Sequence, residues 1–346
     1  ELVDFMSHTV PCFKGEREDS EVYVDDFPLQ LMALLENSAT SLHMDVRAKL
    51  LSAVILLRNR GMLNPISLLK LCLKLFDVND KSLRVILKTY IVNDIKQVNA
   101  VKNNERLNRA MQGVLYSIVN ESTTLVAKKA VDIMAELYRR RIWTDERTVN
   151  ALAAATLSES TRVAVVAMHF FLGIEDKMSL DEEEEENKIP EKELTEVRPQ
   201  HSKKTKARAR AAEKTTKNNQ KIILARQDKS NGPVPLFPAI QLINDPQSLA
   251  EKVFKRMRQG GERFEVKLLA MNFVSRLVGC HQLQMLSFYS FLQRYLTSHQ
   301  KDVTLILAYL IQACHELIPP EELLPVVKTV AYHFVSDRCS NEVLAV

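Results

Sequence analysis

Apolar residues return at steps of three and four along most of this chain. In residues 42–61, LHMDVRAKLLSAVILLRNRG, Val46, Leu50, Val54 and Leu57 form one stripe, while Arg47, Lys49, Arg58 and Arg60 fall off it. That spacing predicts a helix with one buried and one wet face. Gly61 suits the left-handed turn that closes a helix. Asn64-Pro65 reads as a cap followed by a first-turn proline, opening SLLKLCLKLFDV at 67–78. Asp80 is placed to cap KSLRVILKTYIVNDI at 81–95.

The same period predicts helices over 104–119, 125–141, 146–157 and 161–173, and again over 248–258, 262–279, 284–296, 301–317 and 321–335. Pro325 sits inside the last of these, so that helix is expected to start later or to kink. Paired segments begin near Phe27, Asn64, Asn103 and Asp145, a spacing in the range of two-helix HEAT and armadillo repeats. The second helix of each pair carries an early base and then an apolar-Ala-apolar run, as in DVRAKLLSAVILL and STRVAVVAMHFFL. One helix pair cannot cover its own apolar face, so neighbours stack and share a continuous core. The expected fold class is all-α, a HEAT/armadillo-like α-solenoid of stacked helix pairs interrupted by a disordered charged insert.

The interruption begins at DEEEEENK. Residues 175–199 hold 11 acids and 4 bases, and residues 201–231 hold 10 bases and 2 acids. Large apolar side chains are scarce there, so little offsets the entropy of ordering. The organisation expected is therefore a first helical-repeat arm over 1–174, an acidic-then-basic insert over 175–235 and a second arm over 236–346. The net charge of the whole chain is +4, but outside the insert it is close to neutral. Attraction for nucleic acid is thus mainly a property of the insert.

The basic half supplies the candidate site residues Lys203, Lys204, Lys206, Arg208, Arg210, Lys214 and Lys217. Three readings of this tract stay open: a nuclear-import signal bound by an import receptor, an arm that touches RNA phosphates, or a solubilising linker. No aromatic is interleaved with these bases, so any RNA contact would be to phosphate and blind to sequence. A second basic spot, Arg139, Arg140 and Arg141 in YRRRIW, falls at a predicted helix end. There it answers the helix dipole or, alternatively, touches RNA. Trp143 is expected to pack under the following helix.

Little else suggests chemistry. The chain has no Walker loop, no G-x-G-x-x-G, no G-x-S-x-G and no H-E-x-x-H. The acidic run lacks the alternating ligands and turn glycine of a calcium loop. Five cysteines, with no C-x-x-C, read as core thiols of a reducing compartment. Cys280-His281 and Cys314-His315 are adjacent pairs, which a helix points about 100° apart, a poor arrangement for a shared metal. No cofactor, small-molecule substrate or membrane span is expected; the longest apolar stretch, from Val163 to Leu172, is too short to cross a bilayer. The opening Glu-Leu-Val reads as a start inside a longer protein.

Several long blocks carry a resemblance. The stretch ALLENSATSLHMDVRAKLLSAVILLRNRGMLNPISLLKLCLKLFDVNDKSLRVILKTYIVNDIKQVN resembles the first conserved part of the severe-depolymerisation-of-actin (SDA) protein family. AELYRRRIWTDERTVNALAAATL, VVAMHFFLGIED, PAIQLINDPQSLAEKVFKRM, ERFEVKLLAMNFVSRLVGCHQL and NEVLAV resemble later blocks. The resemblance implies a non-enzymatic scaffold of the nucleus and nucleolus. Its implied role is in assembly and export of the large (60S) ribosomal subunit, bound to the pre-ribosomal particle with its pre-rRNA, ribosomal proteins and other assembly factors. It carries over no catalytic residues. A transport-receptor-like solenoid and an actin-organisation adaptor are the alternatives.

Overall fold

Short polar signals set the helix boundaries. Asn64 Oδ1 accepts the Ile66 amide at 2.9 Å, and Pro65 takes the first helical position, where no amide hydrogen is needed. The device recurs at Asp245-Pro246, where Asp245 Oδ1 accepts the Ser248 amide at 3.1 Å. Asp80 Oδ1 accepts the Leu83 amide at 3.1 Å, the predicted cap. Gly61 has φ +76°, the left-handed stop.

These signals delimit the elements of a computed structural model that describes residues 2–13, 18–101, 105–121, 124–173, 239–297 and 299–334. In chain order they are α1 (Leu2–Thr9), α2 (Glu18–Ser38), α3 (Met44–Asn59), α4 (Pro65–Leu75), α5 (Lys81–Val101), α6 (Glu105–Glu121), α7 (Thr124–Arg139), α8 (Glu146–Ala155) and α9 (Thr161–Leu172). After the insert come α10 (Pro246–Gln259), α11 (Phe264–His281), α12 (Leu286–Gln293), α13 (Val303–Ala313) and α14 (Pro320–Phe334). Short 3-10 turns lie at Val10–Phe13 and Ile240–Leu242. Every regular element among the described residues is helical, and the fold is the all-α HEAT-like solenoid class that the periodicity predicts.

Packing follows the repeat pattern. α2 packs on α3 and α4, α4 on α5 and α6, and α6 on α7 and α8, so these alternate helices touch a partner and the equivalent helix of the next pair. After the insert, α10 packs on α11, α11 on α13, and α12 on α13 and α14. The core is built from Leu35, Leu51, Leu57, Leu68, Leu87, Leu115, Val131, Leu152 and Val163, and then from Phe273, Phe288, Leu292 and Ile306. Phe254 of α10 meets Phe288 and Phe291 of α12 edge-on, with centroids 5.8 and 5.4 Å apart.

The chain divides into two units, one of residues Glu1–Met168 with Leu242–Val346 and one of His169–Gln241. Within the first unit the segments flanking the insert are joined by polar contacts. Asn150 of α8 donates to the Leu242 carbonyl at 3.3 Å and accepts the Asn244 amide at 3.0 Å. Arg256 donates to the Ser158 carbonyl and pairs with Glu262 at 2.7 Å. In the second unit, Phe170 and Phe171 are buried with their rings in edge contact.

Three expectations are corrected. Val46, placed on the buried stripe, is 47% exposed, while Arg47, placed on the wet face, is 7% exposed. Arg47 lies three and four residues before the buried Leu50 and Leu51, and on that face it donates to Asp80 at 3.0 Å and to the Leu42 carbonyl at 2.8 Å. Of the cysteines expected in the core, Cys72 is buried but Cys12, Cys280 and Cys314 are exposed, and Cys339 lies outside the described residues. α14 does not start late: it begins at Pro320 and holds Pro325 inside it. Trp143, expected to pack away from solvent, is 1% exposed, and its indole donates to Asn108 of α6 at 3.3 Å.

Candidate functional site

The seven basic residues of the insert, Lys203 to Lys217, lie outside the described residues. Arg139, Arg140 and Arg141 are visible at the end of α7. Arg140 Nε donates to Glu136 Oε1 at 2.6 Å, and Arg139 approaches the other Glu136 oxygen at 3.9 Å. Arg141 has φ +55° and ends the helix, with its amide donating to the Tyr138 carbonyl at 2.9 Å. Two of the three guanidiniums are thus engaged with one carboxylate on their own helix, and the C-terminal dipole favours all three.

A different feature emerges from the stacking. On α6, Arg109, Gln112, Gly113 and Tyr116 follow one another at helical spacing on a single face. On α8, Arg147, Ala151 and Ala154 do the same. The two stripes face each other across a cavity of about 470 Å³. The floor is small and apolar, and a methyl added to Gly113 would meet nothing within 4 Å. At one end Arg109, Gln112 and Arg147 also line a hollow of about 500 Å³, shared with Glu105, Asp145 and Glu146. Beyond α6, a hollow of about 750 Å³ separates it from α4 and is edged by Lys70 and Lys74.

Hydrogen bonds hold the polar wall of the α6–α8 groove. Gln112, 2% exposed, donates to Asp145 Oδ2 at 2.6 Å. The Tyr116 hydroxyl and Thr148 Oγ1 lie 3.2 Å apart. Burial pushes the Tyr116 hydroxyl up to about 12, against the opposing effects of the Thr148 hydrogen bond and the nearby Arg147. It stays a neutral phenol near pH 7. Arg109 pairs with Glu105 at 3.2 Å with both groups well exposed, a weak contact. Sequence reading missed this groove, because Arg109 and Arg147 meet only through the packing of α6 on α8.

A second polar node is buried between α3, α4 and α5. Arg58 and Asp94 pair at 3.4 Å, with little of either side chain exposed. Burial raises the Asp94 carboxyl above its ordinary range despite Arg58, and raises the Cys72 thiol and the Tyr90 hydroxyl as well. Among the described residues no cluster of three or more His, Cys, Asp or Glu side chains could hold a metal ion. His281 and His315 are half-buried, and His315 Nε2 lies 3.0 Å from the Leu283 carbonyl. No described helix is long and apolar enough to cross a membrane.

The repeat architecture has relatives. The family model described as SDA1, HEAT repeat matches residues 5–346. The chain belongs to the SDA1 family. It is 38% identical over its whole length to the Protein SDA1 homolog of Dictyostelium discoideum, covering 45% of that protein. It is 41% identical to the Protein SDA1 homolog of Xenopus laevis, covering 49% of it, and 32% identical to Protein sda1 of Schizosaccharomyces pombe, covering 50%. The chain thus spans about half the length of these SDA1 relatives, and the match runs across both helical segments and the insert between them.

Proposed function

We propose that this SDA1-family protein is a non-enzymatic scaffold for maturation and nuclear export of the large (60S) ribosomal subunit precursor. It works in the nucleus and nucleolus. Its repeat surfaces bind the particle's pre-rRNA, ribosomal proteins and assembly factors, and the basic tract from Lys203 to Lys217 touches RNA phosphate or carries the import signal. The family match over residues 5–346 is the observation that carries this reading. The open grooves between successive helices support it physically. Stacked repeats offer several partners a long surface at once, and they do so without a reaction pocket.

The test is co-sedimentation of the tagged full-length protein with large-subunit precursors on gradients, before and after a salt wash, together with rRNA processing after depletion. Retention on precursor particles and accumulation of unprocessed large-subunit RNA are expected. A protein that leaves those particles under mild conditions but pellets with purified actin filaments, or is captured by a GTP-loaded nuclear GTPase, would overturn the reading. Neutralising Lys203, Lys204, Lys206, Arg208 and Arg210 should mislocalise the protein or weaken RNA association with a shallower salt slope. No change in either result would leave the tract a spacer.

A further inference from the structure

The α6–α8 groove is one of the open grooves behind the reading above, and what it would hold is argued from separate observations. Its two walls are preset, since Gln112 and Tyr116 are already bonded to Asp145 and Thr148. Its floor of Gly113, Ala151 and Ala154 leaves room for an incoming side chain. The charge on its rim is specific. Among the described residues Arg147 is exposed and makes no ion pair or hydrogen bond, and Arg109 pairs with a solvent-exposed Glu105. The carboxylates of Glu105, Asp145 and Glu146 line the adjoining hollow at one end.

We propose that this groove docks a short amphipathic protein segment, seating an apolar side chain over Gly113 and Ala151 and a carboxylate on Arg147 and Arg109. Charge complementarity selects the occupant. A single acid brings one negative charge to the two arginines that line the groove, although Glu105, Asp145 and Glu146 share the adjoining hollow with them. A nucleic-acid backbone following the groove would bring consecutive phosphates onto Glu105, Asp145 and Glu146, at a like-charge cost. The Tyr116 hydroxyl, held toward Thr148, also fixes the ring in the wall rather than leaving it free as a stacking platform. The cavity is in the size range of pockets that take one or two anchoring side chains. Helical segments present such anchors three or four residues apart.

The probe is a fluorescein-labelled Ala/Ser-based peptide with one Leu followed by Glu at helical spacing, read by anisotropy on the 346-residue chain. The Glu→Gln and Glu→Lys peptides and a labelled poly(A) oligonucleotide of similar length run beside it. Binding of the Glu peptide is expected, weakened about tenfold by the Gln replacement or by Arg147→Glu, the scale of one desolvated charge contact. The Glu→Lys peptide should regain affinity for Arg147→Glu. Gly113→Leu, which fills the floor from a position with open space, should abolish binding while circular dichroism stays unchanged. Lys252→Glu, exposed on α10, should change nothing. Failure of the Glu peptide to bind, equal binding of the Gln peptide, or indifference to Gly113→Leu would overturn the proposal. Oligonucleotide binding lost in Arg147→Glu without peptide binding would do so too, and would mark the groove as a nucleic-acid contact.

Discussion

Two glycines in two helices should respond to the same substitution with opposite signs. Gly279 lies near the end of α11, one turn after Ser275, and this small-residue face lets α13 approach closely. Ser275 Oγ, fully buried, lies 3.2 Å from Gln312 Oε1. A methyl at Gly279 would fall inside contact distance of the Gln312 carbonyl oxygen and 3.4 Å from its carbonyl carbon. The obstacle is backbone, so it cannot rotate away as a side chain would. Overpacking of this kind costs about 1–3 kcal/mol. Helix propensity returns under about 1 kcal/mol, less at a helix end. Gly279→Ala should therefore destabilise the chain by about 1–2 kcal/mol. Gly113 sits mid-helix in α6 with nothing within 4 Å of the new methyl, so Gly113→Ala should stabilise by about 0.5–1 kcal/mol. Urea unfolding followed by far-UV circular dichroism reads the net sign. Because repeats unfold partly independently, amide exchange in α11 and α13 locates the effect. A Gly279→Ala chain with wild-type midpoint and wild-type exchange in α11 would refute the close approach. A destabilised Gly113→Ala chain would refute the open face of α6.

Other outcomes are equally specific. Burial holds the Asp94 carboxyl above the ordinary carboxylate range, so the folded chain keeps that proton to higher pH than the unfolded chain does. The stability Asp94 contributes is then full below the unfolded pKa and falls as pH rises through the raised folded one. Asp94→Asn should remove that fall from a pH series of urea midpoints, and an unchanged slope would count against the buried pair. Cys72 is enclosed, with its thiol pushed up by burial, whereas Cys12, Cys280 and Cys314 are exposed. Mass spectrometry after brief maleimide treatment should find Cys72 labelled only in denaturant. Tyr289, buried on α12, donates to the Ala313 carbonyl at the end of α13 at 2.7 Å. Tyr289→Phe should cost about 1 kcal/mol, measured by thermal unfolding, and a neutral result would mean that the carbonyl finds another donor.

Helix class and many boundaries were legible because they depend on neighbours in sequence. The 3.6-residue period, the Asn64-Pro65 start, the Asp80 cap and the Gly61 stop each act within one or two turns, so local chemistry is enough. The pair starts near Asn64, Asn103 and Asp145 were legible for the same reason, since each pair must hide a stripe that its own residues display, whereas α2 begins at Glu18, ahead of the expected Phe27. Contacts across turns and repeats were not. Arg47 can be buried because Asp80, 33 residues away, meets its charge, and no periodicity within α3 records that partner. The groove of Arg109, Gln112, Tyr116 and Arg147 likewise exists only once α6 and α8 are stacked, when two unremarkable helix faces meet. Amphipathic pattern states which side of a helix must be covered, and tertiary packing alone decides what covers it and which polar side chains are brought face to face.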